Sequence, residues 1–237
     1  MPQLVRSNES VTCSDGFKMP SYLVRPGSVQ RLPSLVFVFD IFGINSEMKR
    51  VADDFAAEGY AVLMPDLFSR GNWISCVRAL MKDMERGKGR GVDDLIAARN
   101  WLSTREYADS EHIGIIGFCL GGGFAMLLAT HGLFQVAAPF YGKSPERLDG
   151  SCPIVASYGG RDKIMLPEVA KIQAETKRLN IPADIKIYPN AGHGFMSKAP
   201  NPILGLILRL PPGHAQYDPV VAADAKARVA AFLREHL

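Results

Sequence analysis

Six short, mostly apolar runs, at residues 35–39, 60–64, 112–116, 136–140, 154–158 and 185–188, constrain this chain more than any other feature. Runs of that length are too short to persist as buried helices and read as strands covered on both faces. Between them lie segments with helical spacing. Residues 47–58 carry Met48, Val51, Phe55 and Ala56 on one face, and 92–102 carry Val92, Leu95, Ile96 and Leu102. Residues 124–131 are small and apolar, 167–179 open on a proline suited to a first helical turn, and 222–236 are amphipathic. Strand and helix in alternation predict a mostly parallel sheet with helices on both faces. In such a sheet a ligand site belongs at the carboxyl ends of the strands. Ahead of this pattern, 11–14 and 17–24 are strand-like around Asp15-Gly16, a hairpin turn signal. Two stretches are less regular. Residues 72–90 read as a helix with weak periodicity and two glycines near its end. Residues 203–208 form an apolar run between prolines, read either as a loop or short helix packed on the body or as an apolar wall at a substrate mouth.

The 237 residues show no repeat, low-complexity tract or linker, so one α/β domain spanning 1–237 is expected, large enough to bury a core without disulfides or metals. A hydrophobic fraction of 47% against 22% charged excludes a disordered or fibrous chain. The net charge, 27 − 24 = +3, is too small and too scattered for a nucleic-acid partner, and no apolar run approaches a membrane span. The opening residues lack a signal-peptide apolar region, so the expected location is the cytoplasm. There, Cys13, Cys76, Cys119 and Cys152, none in a C-x-x-C pair, are expected as free thiols.

One of those thiols stands apart. Gly117-Phe118-Cys119-Leu120-Gly121-Gly122 follows an apolar strand and precedes a helix, the pattern of a nucleophile elbow with cysteine at its apex. A nucleophile in so sharp a turn brings its neighbours two positions away into close contact, so they must lack side chains. The turn lifts the sulfur to the first turn of a helix, where the dipole favours a thiolate. The Leu120 amide there provides half of an oxyanion hole. Read in isolation, a cysteine in a Gly-rich turn is a small buried hydrophobe; its downstream partners favour the nucleophile. Asp162 follows the run 154–158 in Gly159-Gly160-Arg161-Asp162, placed to orient an imidazole, though a turn aspartate is the plainer reading. His193 follows 185–188 in Ala191-Gly192-His193-Gly194-Phe195, where the alternative is a solvent-facing loop histidine. Nucleophile, acid, histidine is the chain order of an α/β-hydrolase. His112, His131, His214 and His236 have weaker settings. No metal-ligand spacing, dinucleotide fingerprint or phosphate loop occurs, so no metal and no cofactor are expected.

With these motifs the chain resembles the dienelactone hydrolase family of α/β-hydrolases over nearly its whole length. The likeness rests on the Asp15-Gly16 hairpin, Asp40-Ile41-Phe42-Gly43, Gly59-Tyr60-Ala61-Val62 with Pro65-Asp66-Leu67, the cysteine elbow, Gly160-Arg161-Asp162, and Ala191-Gly192-His193-Gly194-Phe195. The resemblance implies Cys119 as thiol nucleophile, His193 as base and Asp162 as the acid that orients it. It implies that the Ile41 amide completes the oxyanion hole with Leu120. Asp40 stands where the family prototype has a glutamate that helps activate the thiol. Two substrate-gripping arginines of the prototype fall at Ser197 and near Arg78; Lys198, beside the first, is not equivalent to a bidentate guanidinium. The missing clamp and the apolar run after His193 favour a neutral ester or lactone.

The expected activity is therefore two-step hydrolysis of a small-molecule carboxylic ester or lactone. A thioesterase or acyltransferase with the same triad, and a ligand-binding protein on a slow hydrolase scaffold, are the alternatives. No nucleic-acid or membrane partner is expected, and the chain is expected as a monomer or homodimer.

Overall fold

The computed structural model describes residues 3–27 and 30–237. Among these, eight strands form one sheet: β1 (Leu4–Thr12), β2 (Lys18–Pro26), β3 (Leu32–Val38), β4 (Ala61–Pro65), β5 (Ala108–Phe118), β6 (Ala137–Phe140), β7 (Ile154–Gly159) and β8 (Ala183–Tyr188). Seven helices accompany them: α1 (Ser46–Ala57), α2 (Trp73–Arg86), α3 (Arg90–Ser103), α4 (Leu120–Ala129), α5 (Leu166–Leu179), α6 (Pro202–Leu208) and α7 (Pro219–His236). The strand order is β1-β2-β4-β3-β5-β6-β7-β8. The first two pairings, β1 with β2 and β2 with β4, are antiparallel; all later ones are parallel. This is the mostly parallel sheet expected from the alternation of runs, in the α/β-hydrolase form that the resemblance implies.

Five of the six apolar runs lie inside the sheet, where helices cover both faces; the sixth, 185–188, is not covered in this way, because β8 is the edge strand and Ile187 is 39% exposed. Leu35, Val36 and Phe37 of β3 have no exposed surface, and neither have Ile115 and Ile116 of β5. Phe118 and Phe140 face each other across β5 and β6 with their rings stacked at 4.7 Å. Met48, Val51, Phe55 and Ala56 of α1 are all buried, as their spacing predicts. The Asn45 side chain caps that helix by accepting from the Glu47 and Met48 amides at 2.9 and 3.0 Å. Every residue of α4 is buried.

Several elements differ in extent from the sequence reading. The helix read over 72–90 is α2 and stops early, on Gly87 at φ +66; α3, read from residue 92, begins already at Arg90 after Gly89 at φ +136. A side chain at Gly89 would strike the Asp83 carboxylate, whose Oδ2 accepts from the Gly91 amide at 2.9 Å at the head of α3. The opening hairpin is also longer than its apolar signal, pairing from Thr12↔Lys18 out to Leu4↔Pro26. Most of β1 is exposed or half-buried, so its outer half carries no apolar run to read.

Among the described residues no helix is long and apolar enough to cross a membrane.

Candidate active site

Five strands of the parallel half end at one place. Their carboxyl ends deliver Asp40 and Ile41 after β3, Cys119 after β5, Tyr141 after β6 and, through the turns after β7 and β8, Asp162 and His193.

Cys119 has φ +55 and ψ −112, a left-handed conformation strained for any residue with a side chain. The strain persists because the backbone is held on both sides. The Cys119 amide donates to the Phe140 carbonyl at 3.0 Å, and its carbonyl accepts from Gly123 at 3.0 Å. A Cβ on Gly117 would run into the Gly121 carbonyl, and one on Gly121 into the Val38 and Phe39 carbonyls. The elbow glycines are thus spaces that backbone from β3 and α4 already fills. Leu120 is the first residue of α4, so its N–H has no intrahelical acceptor and is available to a ligand.

Across the cavity, the His193 Nδ1–H donates to Asp162 Oδ2 at 2.6 Å. Asp162 is fully buried, and its other oxygen accepts from the Ile164 and Met165 amides at 3.2 and 3.3 Å. The two loops lie backbone against backbone. A Cβ on Gly159 would meet the Ala191 and Gly192 carbonyls, one on Gly160 would meet Pro189, and one on Gly192 would strike His214. That approach lets the Arg161 amide reach the Ala191 carbonyl at 2.9 Å and the His193 amide reach Gly213 at 2.7 Å. Burial works against charge on the imidazole. The Cys119 sulfur and the Asp162 carboxylate outweigh it and raise His193 to about 10.

The turn after β3 closes on itself. The Phe42 amide donates to Asp40 Oδ1 at 2.9 Å, and the Gly43 amide donates to the Asp40 carbonyl at 3.1 Å. The Trp73 indole N–H, from the start of α2, fastens this turn by donating to the Ile41 carbonyl at 2.6 Å. Burial pushes the Asp40 carboxyl up to about 6, although the Phe42 amide and the His193 charge both favour its ionised form.

Cys119, His193, Asp40, Ile41, Phe42 and Tyr141 line a cavity of about 370 Å³. Its outer wall comes from Ser197, Lys198 and Ala199, from Gly205 and Leu208 of α6 with Arg209 after it, and from residues 215–217. The apolar run 203–208 is therefore a short helix at the cavity wall. Ile203, Leu206 and Ile207 face solvent at 76%, 67% and 57% exposure. Among the described residues, no group of three or more His, Cys, Asp or Glu is arranged to hold a metal ion.

A model of the dienelactone hydrolase family matches residues 19–237. This chain belongs to that family. A Salmonella typhimurium (strain LT2) protein with the provisional name carboxymethylenebutenolidase is 30% identical over 203 residues, 77% of this chain and 75% of the relative. The Rhodococcus opacus carboxymethylenebutenolidase is 27% identical over 187 residues, 71% of this chain and 72% of that one. The crystal structure of a provisionally named dienelactone hydrolase from Klebsiella pneumoniae superposes with a TM-score of 0.78 at 23% identity, covering 98% and 99% of the two chains. The fold is shared and the chain is a hydrolase of dienelactone hydrolase type.

Within this family member the sequence-expected residues divide. Asp40, Ile41, Cys119 and His193 line one cavity, with Asp162 behind His193 and Leu120 next to Cys119. Arg78 does not join them. Helix α2 turns Cys76 and Leu80 inward, which leaves Arg78 on its exposed side, away from the cavity wall. The cations in the wall are Lys198 and Arg209. Ser197, where the resemblance puts an arginine, is 9% exposed and lines the cavity. Sequence reasoning missed Tyr141, Trp73 and Arg209. A signal existed for Tyr141, the residue that follows a buried strand at the sheet's carboxyl edge. Nothing local marked Trp73 or Arg209, which reach the site through long-range packing.

Proposed function

We propose that this chain hydrolyses small carboxylic esters or lactones through a thiol ester on Cys119. The carrying observation is that His193, held by Asp162 at 2.6 Å, shares one cavity with a cysteine at the apex of a strained elbow. A cationic His193 beside the sulfur is what a thiolate nucleophile requires. The thiolate attacks the ester carbonyl carbon, and the carbonyl electron pair moves onto oxygen. The Ile41 and Leu120 amides hold that oxyanion, each such donor contributing about 3 kcal/mol. As the intermediate collapses, the C–O bond breaks and the leaving oxygen takes the proton from His193. Neutral His193 then draws a proton from water, hydroxide adds to the thiol ester, and the acid departs as the thiolate re-forms. Asp162 keeps the ring in the tautomer that presents Nε2 to the reaction. Asp40 adds a buried carboxylate facing the imidazolium, which favours the charged pair.

The cavity volume fits a small ligand. Ile41, Phe42, Ala199 and Leu208 offer it apolar wall, and Ser197 brings no charge, so we infer a preference for neutral substrates. Lys198 and Arg209 are the groups that would meet a carboxylate.

The test compares wild type with Cys119→Ala on short aryl esters, a neutral lactone, an anionic dienelactone and an acyl thioester. A fall of at least about 10³-fold in the variant, with an acyl adduct on Cys119 by mass spectrometry, is the expected result. Iodoacetamide should label Cys119 first, because burial pushes the Cys13 and Cys152 thiols up to about 11 and about 12. Activity that survives in Cys119→Ala would refute the nucleophile. Higher kcat/KM on the dienelactone would refute the neutral preference, and higher kcat/KM on the thioester would refute the ester assignment.

A further inference from the structure

Among the described residues that line the cavity, Tyr141 is the one whose side chain has a buried polar atom without a hydrogen-bond partner. It follows β6 at φ +41, left-handed for a bulky aromatic. The conformation is held from both sides. The Tyr141 amide donates to the Ser157 carbonyl at 2.8 Å, and the Tyr158 hydroxyl donates to the Gly142 carbonyl at 2.7 Å. The side chain is 1% exposed, and its ring packs 4.8 Å from the His193 ring and 5.2 Å from Phe195. Its hydroxyl is buried without a hydrogen-bond partner among the described residues. The Met196 amide acts on the phenol oxygen from the donor side but lies outside hydrogen-bond geometry, so the phenol proton has no acceptor. Leaving such a group unpaired costs about 1–3 kcal/mol, and the strained backbone costs a similar amount. Burial holds the phenol well above its ordinary range, and the charges of Asp40 and Cys119 act in the same direction. It is therefore a neutral group with a proton to share and no partner until something enters the cavity.

An ester offers two oxygens. The carbonyl oxygen goes to the Ile41 and Leu120 amides, and the other must face His193 to be protonated as it leaves. Tyr141 packs on the ring of His193, the residue that must face that second oxygen. We propose that the Tyr141 hydroxyl donates a hydrogen bond to the leaving oxygen of the bound ester or lactone and strengthens it as the C–O bond breaks. The phenol keeps its proton; His193 supplies the one transferred. The contact exists only with substrate present and is strongest when negative charge builds on the leaving oxygen, so it lowers the barrier rather than only tightening binding. This role rests on the Cys119 acyl-transfer reading above.

Tyr141→Phe retains the ring and its packing and removes only the donor. The readout is kcat/KM for acetate esters of alcohols that range from p-nitrophenol through phenol and trifluoroethanol to ethanol. Good leaving groups depart without help, so the loss should be about threefold for p-nitrophenyl acetate and should grow to about thirtyfold for the ethyl ester. The rate should therefore depend more steeply on leaving-group pKa in the variant. A uniform loss across the series, or no loss, overturns the proposal, because a purely structural tyrosine would not distinguish alcohols. The rate of Cys119 alkylation by iodoacetamide serves as control and should match wild type; a changed rate would mean that the hydroxyl serves the nucleophile instead, and would also overturn the proposal. Esterase activity that persists in Cys119→Ala would remove the reading beneath it, and that result does not depend on the Tyr141 series.

Discussion

Asp40 sits at the carboxyl end of β3 with 8% of its surface exposed, and ionising it there costs free energy. Its carboxyl is pushed up to about 6, whereas the unfolded chain titrates near the ordinary 3.8. Between those values the folded state holds a proton that the unfolded state has released. Stability therefore falls as pH rises through this window, the reverse of a salt-bridged aspartate. Two pKa units correspond to about 3 kcal/mol lost once Asp40 is ionised. Asp40→Asn keeps an oxygen for the Phe42 amide and removes the charge. It should stabilise the fold by about 1–3 kcal/mol at pH 8 and by nearly nothing at pH 4, read from urea midpoints at the two pH values. The same substitution should lower kcat/KM by about tenfold at pH 8 and abolish the acid limb near pH 6, because the carboxylate helps keep His193 charged. A variant no more stable than wild type at pH 8, or one that retains the limb near pH 6, would remove Asp40 from this account.

At the scale of elements, α6 contributes Gly205 and Leu208 to the cavity wall. Leu208 turns toward the cavity while Leu206, two residues earlier, is exposed. Leu208→Ala should widen the cavity and shift kcat/KM from p-nitrophenyl acetate toward the octanoate by about tenfold, whereas Leu206→Ala should leave the ratio unchanged. Equal effects of the two would mean that the wall does not set chain length. This helix also marks where the sequence stopped being readable. The apolar run was plain, but whether it lay in the core, on a wall or in a loop depends on what the chain brings opposite it, and Ala199 and residues 215–217 are not periodic neighbours. The strands of the parallel half, the five helices and the Gly-rich turns were legible because each is encoded locally, by apolar runs or by glycines where two backbones touch. The two glycines marked the break between α2 and α3, but its place was not legible, since it depends on Asp83 reaching Gly91, eight residues on. The place of Tyr141 after a buried strand was readable, but its contact with His193 was not, since the two are 52 residues apart (193 − 141) and no local pattern links them.

At the scale of the whole molecule, the proposed triad is only as well aligned as the strands that carry it. Asp162 and His193 hang from β7 and β8, at the end of the sheet, and α7 at the C-terminus closes over β7. One side chain ties these parts together. Arg228 of α7, with 14% side-chain exposure, donates through Nη2 to the Ala156 carbonyl at 2.8 Å and to Ser157 Oγ at 2.5 Å, both on β7. Through Nη1 it donates to the Asp184 carbonyl at 3.1 Å and pairs with the Asp184 carboxylate at 2.7 Å, both on β8. The planar guanidinium spans the two strands at once, which a point charge on a flexible stem does not do. Ser157 also carries the carbonyl that holds the Tyr141 amide, so the same anchor extends to the cavity. Arg228→Met preserves bulk and removes the donor from two carbonyls, the Ser157 hydroxyl and a carboxylate; it should cost about 2–4 kcal/mol in urea unfolding. Arg228→Lys should recover less than half of that, because it restores the charge but not the fork. In the folded protein both variants should lower kcat by about three- to tenfold with little change in KM, since misaligned Asp162 and His193 affect the chemical step rather than the apolar wall that binds substrate. Full stability in Arg228→Met, or a lysine variant indistinguishable from wild type, would show that packing of α7 alone holds the end of the sheet in place.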